Sequence, residues 1–143
     1  MPMWHVYHPK NVYDAQEKQR FAARVTDLYA EIARLPRFYV SVAFHAFEPD
    51  EFFVGGEPAD GFVRIWIDHI ARQTPDPERR KWWMAKVNAW MAPFLKDRGL
   101  RSEIHADDTP TESWTINGLF PPPGGSADER RWVEENKPSP LTS

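Results

Sequence analysis

DAQEKQRFAARVTDLYAEIARLPRFYVSVAFHAF, residues 14–47, changes its hydrophobic period once, and that change decides the fold. Phe21, Val25, Leu28, Ile32 and Leu35 recur at alternating four- and three-residue steps, so one face of a helix is apolar. The helix is expected to stop before Pro36, because proline lacks an N–H and disfavours helical geometry in the residue before it. Beyond it, FYVSVAFHAF (38–47) has the β-branched and aromatic character of a strand. Upstream, MWHVY (3–7) reads as another strand that Pro9 closes. Two strands joined through a helical crossover suit parallel pairing, which gives a β-α-β unit.

The same order then recurs. VRIWIDHI (63–70) reads as a strand, Asp76 as a helix cap, with Pro77 at the first helical position and Glu78 in the acidic first turn. Trp83, Val87, Trp90 and Phe94 repeat the helical stripe, with a kink expected at Pro93 and an end near Gly99. LRSEIHA (100–106) is the closing strand, and EPDEFFVGGEPADG (48–61) is a connector with a short hairpin or edge strand around Phe52 to Val54. The two helix openings compare, EKQRF at Glu17 and ERRKW at Glu78, although identity between the copies is low and the repeat is one of architecture. The prediction is an α/β (α+β) fold: a four-stranded mixed sheet with two helices on one face. Residues 1–125 form the domain, its two units spanning about 2–48 and 62–107. Residues 126–143 form an extension with a short helix at Ala127 to Glu135 and a frayed end, KPSPLTS. One layer of helices cannot cover both faces of a sheet, so a homo-oligomer is expected.

Composition excludes several function classes. A formal charge of −3 without a basic run argues against nucleic acid or an anionic membrane as partner. The absence of cysteine removes disulfides, thiolate metal sites and thiol nucleophiles. No apolar run reaches the roughly 20 residues that span a bilayer, and no basic leader precedes an apolar core, so a cytoplasmic protein is expected.

The candidate chemistry begins at Pro2. Methionine before a small residue is a substrate for methionine aminopeptidase, and its removal would leave a secondary amine fixed at the start of a strand. An N-terminal amine titrates near 8, and burial or a neighbouring cation lowers that value, making the nitrogen a base at neutral pH. Arg72 follows a strand directly, where it can grip a planar carboxylate with two parallel bonds or simply sit in an exposed loop. Tyr29 beside the apolar stripe is a site residue or a core tyrosine. His69, next to Asp68, is a strand-end base or a hydrogen-bonded structural histidine. Trp114 and Asn117 straddle a turn in ESWTING (112–118), supplying a wall and an amide donor to a small planar acid, or only a packed hairpin. His5, His8 and His45 lack short-spaced ligand geometry, so no metal is expected, and the glycines at 55 and 56 lack the spacing of a phosphate loop.

The proline start, the two β-α-β units, FVGG (53–56), Arg72 and NGLFPPPG (117–124) together resemble the tautomerase superfamily, most closely its cis-3-chloroacrylic acid dehalogenase group. The resemblance spans about residues 2–125. It implies a MIF-like fold, a homotrimer, no cofactor and a small carboxylate substrate, with Pro2 catalytic and Arg72 the first of two carboxylate-binding arginines. The second falls on Pro75, with Arg79 and Arg80 the nearest substitutes one turn into the helix. The group's helix-one histidine falls on Tyr29, its water-positioning tyrosine on His105, and its water-activating glutamate near Ile116, beside Trp114 and Asn117. Hydrolytic dehalogenation needs that activator; enol-keto isomerisation needs only a group to move the proton and donors to hold the acid. The expected function is therefore a tautomerase. The alternatives are a hydratase or dehalogenase using His105 or Glu112 on water, and an inactive ligand-binding scaffold.

Overall fold

The computed structural model describes residues 1–142. Strands β1 (Pro2–Pro9), β2 (Ser41–Phe47), β5 (Phe62–His69) and β6 (Arg101–Asp108) form one sheet in the order β2-β1-β5-β6. Short strands β3 (Phe53–Val54) and β4 (Glu57–Pro58) make a separate hairpin in the connector. The sheet is mixed: β1 pairs with β2 and β5 with β6 in parallel, and β1 with β5 antiparallel. Two β-α-β units thus meet along β1 and β5. Helices α1 (Ala15–Ile32) and α2 (Pro77–Met91) cover one face, and α3 (Ala127–Glu135) follows the second unit.

Local sequence accounts for these elements. In β1 the buried residues alternate, Pro2, Trp4, Val6 and His8, as a strand with one covered face requires. Asp14 caps α1 by accepting from the Glu17 N–H, while the Glu17 carboxylate accepts from the Asp14 N–H, a reciprocal capping box. The helix ends before the last member of its apolar stripe. Arg34 turns left-handed at φ 56°, and the Tyr29 carbonyl accepts the N–H of both Ala33 and Leu35, so Leu35 is buried from outside the helix. Residues 37–39 make one tight turn instead of the start of β2, because Phe38 and Tyr39 pack on Trp132, and Tyr39 also on Trp114. Likewise α2 gives way at Met91 to a tight turn containing Pro93, which has no N–H for the ladder. The helices are locked reciprocally: Arg24 Nε donates to the Trp90 carbonyl at 2.6 Å, and Trp90 Nε1 to the Arg24 carbonyl at 2.8 Å.

Among the described residues the opposite face of the sheet carries no helix. Across it runs a series of stacked rings from Tyr7 and His45 through His5 and Trp66 to His105. His5 Nδ1 and His45 Nε2 share a hydrogen bond of 3.0 Å, whereas His8 faces the helices and is buried against Tyr13 and Phe44. No described helix is long and apolar enough to cross a membrane.

The closing residues, expected to fray, are tied to α3 through residue 142. Trp132 is fully buried and donates from Nε1 to the Ser139 carbonyl at 3.0 Å. Asp128 accepts from both the N–H and the hydroxyl of Thr142. An indole that fills the core from the tail makes the extension part of the folding unit. Trp132→Ala is accordingly expected to cost about 3–5 kcal/mol, read as a lowered urea midpoint; a loss under about 1 kcal/mol would show that the tail is separable.

Candidate functional site

Where β1 begins and β5 ends, a pocket of about 280 Å³ opens between the sheet and both helices. The β1·β5 register sets Pro2 directly opposite His69. Tyr29 reaches the pocket from α1, Arg79 and Trp83 from the first turns of α2, and Arg72 from the loop after β5. Pro2, Tyr29, His69 and Arg72, far apart in sequence, are thereby brought together.

A chain of hydrogen bonds fixes the polarity of the pocket floor. An indole nitrogen can only donate, so Trp4 Nε1 gives its proton to the Tyr29 hydroxyl at 3.0 Å. The Tyr29 hydroxyl and His69 Nε2 share a hydrogen bond of 2.7 Å whose direction follows the His69 tautomer, and His69 Nδ1 lies 3.9 Å from Asp108. Burial pushes His69 down to about 4, against the pull of Asp108, and burial pushes the Tyr29 phenol above its ordinary range. At neutral pH the Trp4–Tyr29–His69 chain is uncharged.

The amino terminus lies in the same surroundings. Burial, and after it the Arg72 guanidinium, lower the Met1 amine to about 4, while Glu129 and Asp68 oppose the shift. The Met1 carbonyl accepts from the Ile70 N–H at 2.9 Å and the Ala71 N–H at 3.5 Å. Pro2, next in the strand, is buried.

Arg72 is at the pocket wall but is already paired. Its two terminal nitrogens donate to the Glu129 carboxylate at 3.0 and 2.7 Å, a bidentate contact with a residue only 4% exposed. Glu129 is held in turn by the Gly125 N–H at 2.9 Å. The backbone passes so close at Gly124 that a Cβ there would lie 2.9 Å from the guanidinium. Sequence reasoning missed Glu129, which stands 57 positions from Arg72. Arg79, by contrast, lines the pocket with no hydrogen bond or ion pair among the described residues, and no Asp or Glu lines it.

Three expected site residues lie outside this pocket in their own chain. His105 is on the helix-free face, stacked on Trp66 and bonded to Arg64, because side chains alternate along β6. Trp114 packs edge-on against Tyr39 and lines a separate groove with Glu112 and Phe120. Asn117 is an exposed turn residue. With Gly118 it takes positive φ, 51° and 79°, to reverse the chain between Ile116 and Leu119. Among the described residues no group of three or more His, Asp or Glu side chains is arranged to hold a metal ion.

The buried, depressed His69 predicts a pH dependence of stability. Unfolded chains bind this proton near pH 6.5 and folded chains only near 4. Stability should therefore be flat above 6.5 and decline as pH falls toward 4, with a slope up to about 1.4 kcal/mol per pH unit from this group. His8, also lowered by burial, adds in the same direction. Denaturant titrations of His69→Asn should show a shallower decline; an identical slope would assign the effect elsewhere.

Residues 1–137 match the Tautomerase_3 family, described as "Putative oxalocrotonate tautomerase enzyme". The fold is similar to native RhCC from Rhodococcus jostii RHA1, with 40% identity, a TM-score of 0.93, and 97% of this chain and 99% of that one covered. It is also similar to a protein of the thermophilic fungus Aspergillus fumigatus described as a probable enzyme, with 35% identity, a TM-score of 0.89, and 99% and 98% covered. N1, a member of the cis-3-chloroacrylic acid dehalogenase family, shares the fold at 23% identity and a TM-score of 0.75, with 94% and 97% covered. Among curated proteins none matches the chain by sequence. With nearly its full length matched and its β-α-β halves meeting at an amino-terminal strand, the chain belongs to the tautomerase superfamily.

Proposed function

We propose that the chain, once Met1 is removed, is a cofactor-independent enol-keto tautomerase of a small 2-oxo or enol carboxylic acid, with the Pro2 amine carrying the proton. The observation that supports this is the joint placement of a buried strand start and a pocket lined by two arginines and, among the described residues, by no Asp or Glu. In the ketonising direction the Pro2 lone pair takes the enol O–H proton and leaves an enolate, whose oxygen lone pair forms the C=O bond only as the C=C pair is protonated. The C=C electron pair then takes the proton from Pro2 to form the new C–H bond. Proton count and charge are conserved, and no water is consumed.

Hydration or hydrolytic dehalogenation has less support. It requires a base for water, yet among the described residues no Asp or Glu lines the pocket, and His69 Nε2 is already engaged by the Tyr29 hydroxyl. His105 and Glu112, the alternative activators, sit elsewhere in their own chain. We further propose a homotrimer assembled through the helix-free sheet face, where Trp66 remains 38% exposed.

Substrate anchoring divides between the two arginines. Arg72 carries a charge compensated by Glu129, so the uncompensated Arg79 supplies the net attraction for a carboxylate. Arg79→Ala is expected to raise KM about tenfold with little change in kcat, whereas Glu129→Gln, which uncovers the Arg72 charge, lowers KM. Steady-state kinetics showing KM unchanged in both variants would remove this charge assignment.

The central test is ketonisation of phenylenolpyruvate by the wild type and Pro2→Ala, with mass spectrometry establishing that both chains lack Met1. Loss of about 10²–10⁴-fold in kcat, with assembly intact, is expected for the variant. Equal rates above background would overturn the amine mechanism, and no rate in either would favour a binding scaffold.

A further inference from the structure

We propose that the consecutive backbone N–H groups of Ile70 and Ala71 form an oxyanion-binding nest for the substrate's enol oxygen, and that the Met1 carbonyl fills this nest until Met1 is removed. This rests on the proton-transfer reading of the pocket and adds the group that receives the developing charge.

An oxygen already marks the position. The Met1 carbonyl accepts from Ile70 at 2.9 Å and, at the long end of hydrogen bonding, from Ala71 at 3.5 Å. Its carbonyl carbon is bonded to the Pro2 nitrogen, so covalent geometry puts the accepting oxygen about 2.3 Å from that nitrogen. Excision of Met1 breaks that bond and takes the oxygen away with the residue. Two donors are then left facing the Pro2 amine without the acceptor that the chain had supplied. Met1 also lines the pocket, so the same excision opens the pocket toward these donors. Successive N–H groups converging on one point make an anion-binding concavity.

Both peptide planes are anchored from behind. The peptide that carries the Ile70 N–H presents the His69 carbonyl to the Thr109 N–H at 2.7 Å. The peptide that carries the Ala71 N–H presents the Ile70 carbonyl to the Thr111 hydroxyl at 2.9 Å. Thr109 and Thr111, in the segment after β6, are thus positioning residues that hold the donors without touching the substrate. Donors fixed in advance are what stabilisation of a developing oxyanion requires. When Pro2 removes the enol proton, the negative charge left on oxygen lies against both N–H groups; when the proton reaches carbon, the charge returns to the carbonyl bond.

The test uses oxalate, a planar dianion resembling an enolate beside a carboxylate. Isotope-labelled full-length protein is made with Met1 retained by inhibiting methionine aminopeptidase during expression, and half is trimmed afterwards with the purified peptidase. Oxalate is expected to bind the trimmed chain at least about tenfold more tightly, with the Ile70 and Ala71 amide resonances shifting along the titration. Trimmed Pro2→Ala, although inactive under the proposed mechanism, should keep those shifts, which separates the nest from the amine. Thr111→Val should weaken oxalate several-fold and shrink the Ala71 shift, and Thr111→Ser should restore both. The proposal is overturned if oxalate binds with both amides unmoved, if the trimmed and untrimmed chains bind within about twofold of each other, or if neither binds.

Discussion

Strand β1 is held on both sides, parallel to β2 from Met3↔Ser41 and antiparallel to β5 from Pro2↔His69, and its first residue inherits that confinement. An interior strand cannot fray as an edge or a free terminus can, since its backbone groups are engaged by both neighbours. The same register carries the end of β5 to the start of β1, with α1 above one unit and α2 above the other. Tyr29, His69, Arg72 and Arg79 therefore converge on Pro2 from four different elements. Shifting the register by one residue would turn Trp4, Val6 and His8 to the opposite face and dismantle core and pocket together.

Where hydrophobic period determined an element, the sequence was readable. Phe21, Val25 and Leu28 lie fully buried on α1, and Val63, Ile65 and Ile67 on the covered face of β5, each at the spacing its element requires. The Asp76 cap was legible because a side-chain acceptor two residues before a free N–H is a local device; the reciprocal Asp14–Glu17 box, equally local, emerged only in the structure. Reading failed where long-range packing overrode local propensity. Phe38 and Tyr39 look like strand residues, but the arrival of Trp114 and Trp132 draws them into an aromatic cluster. Residues 137–142 look like a loose end, and it is their partners on α3, Asp128, Arg131 and Trp132, that make them otherwise.

The site divides in the same way. Pro2 and Arg72 could be singled out because one begins a strand and the other lies in the loop just past one, positions that order alone supplies. Glu129 could not, because nothing near either residue signals a pairing between a loop after β5 and the first turn of α3. Asn117 and Trp114 were drawn toward the site by chemistry they possess in isolation. The turn spends the Asn117 backbone on positive φ, and the core spends the Trp114 ring on Tyr39. His105 shows the cost of ignoring alternation, since its neighbours Ile104 and Ala106 pack against the core while it faces away.

Glu129 has a role beyond occupying Arg72. A bare guanidinium beside a buried amine would depress the amine further, and an amine too weakly basic takes protons poorly however well it is placed. Glu129 opposes that depression at the Met1 amine, one residue from the nitrogen that Met1 removal would free, while its bidentate contact keeps Arg72 against the wall. In the proposed reading, attraction for the substrate's charge would then fall to Arg79, on the more exposed side of the pocket, where a cation costs less desolvation. Under the proposed mechanism the paired arginine would tune the amine and the unpaired one would draw the acid, so that a single pocket could be cationic enough to bind a carboxylate without its base being lost.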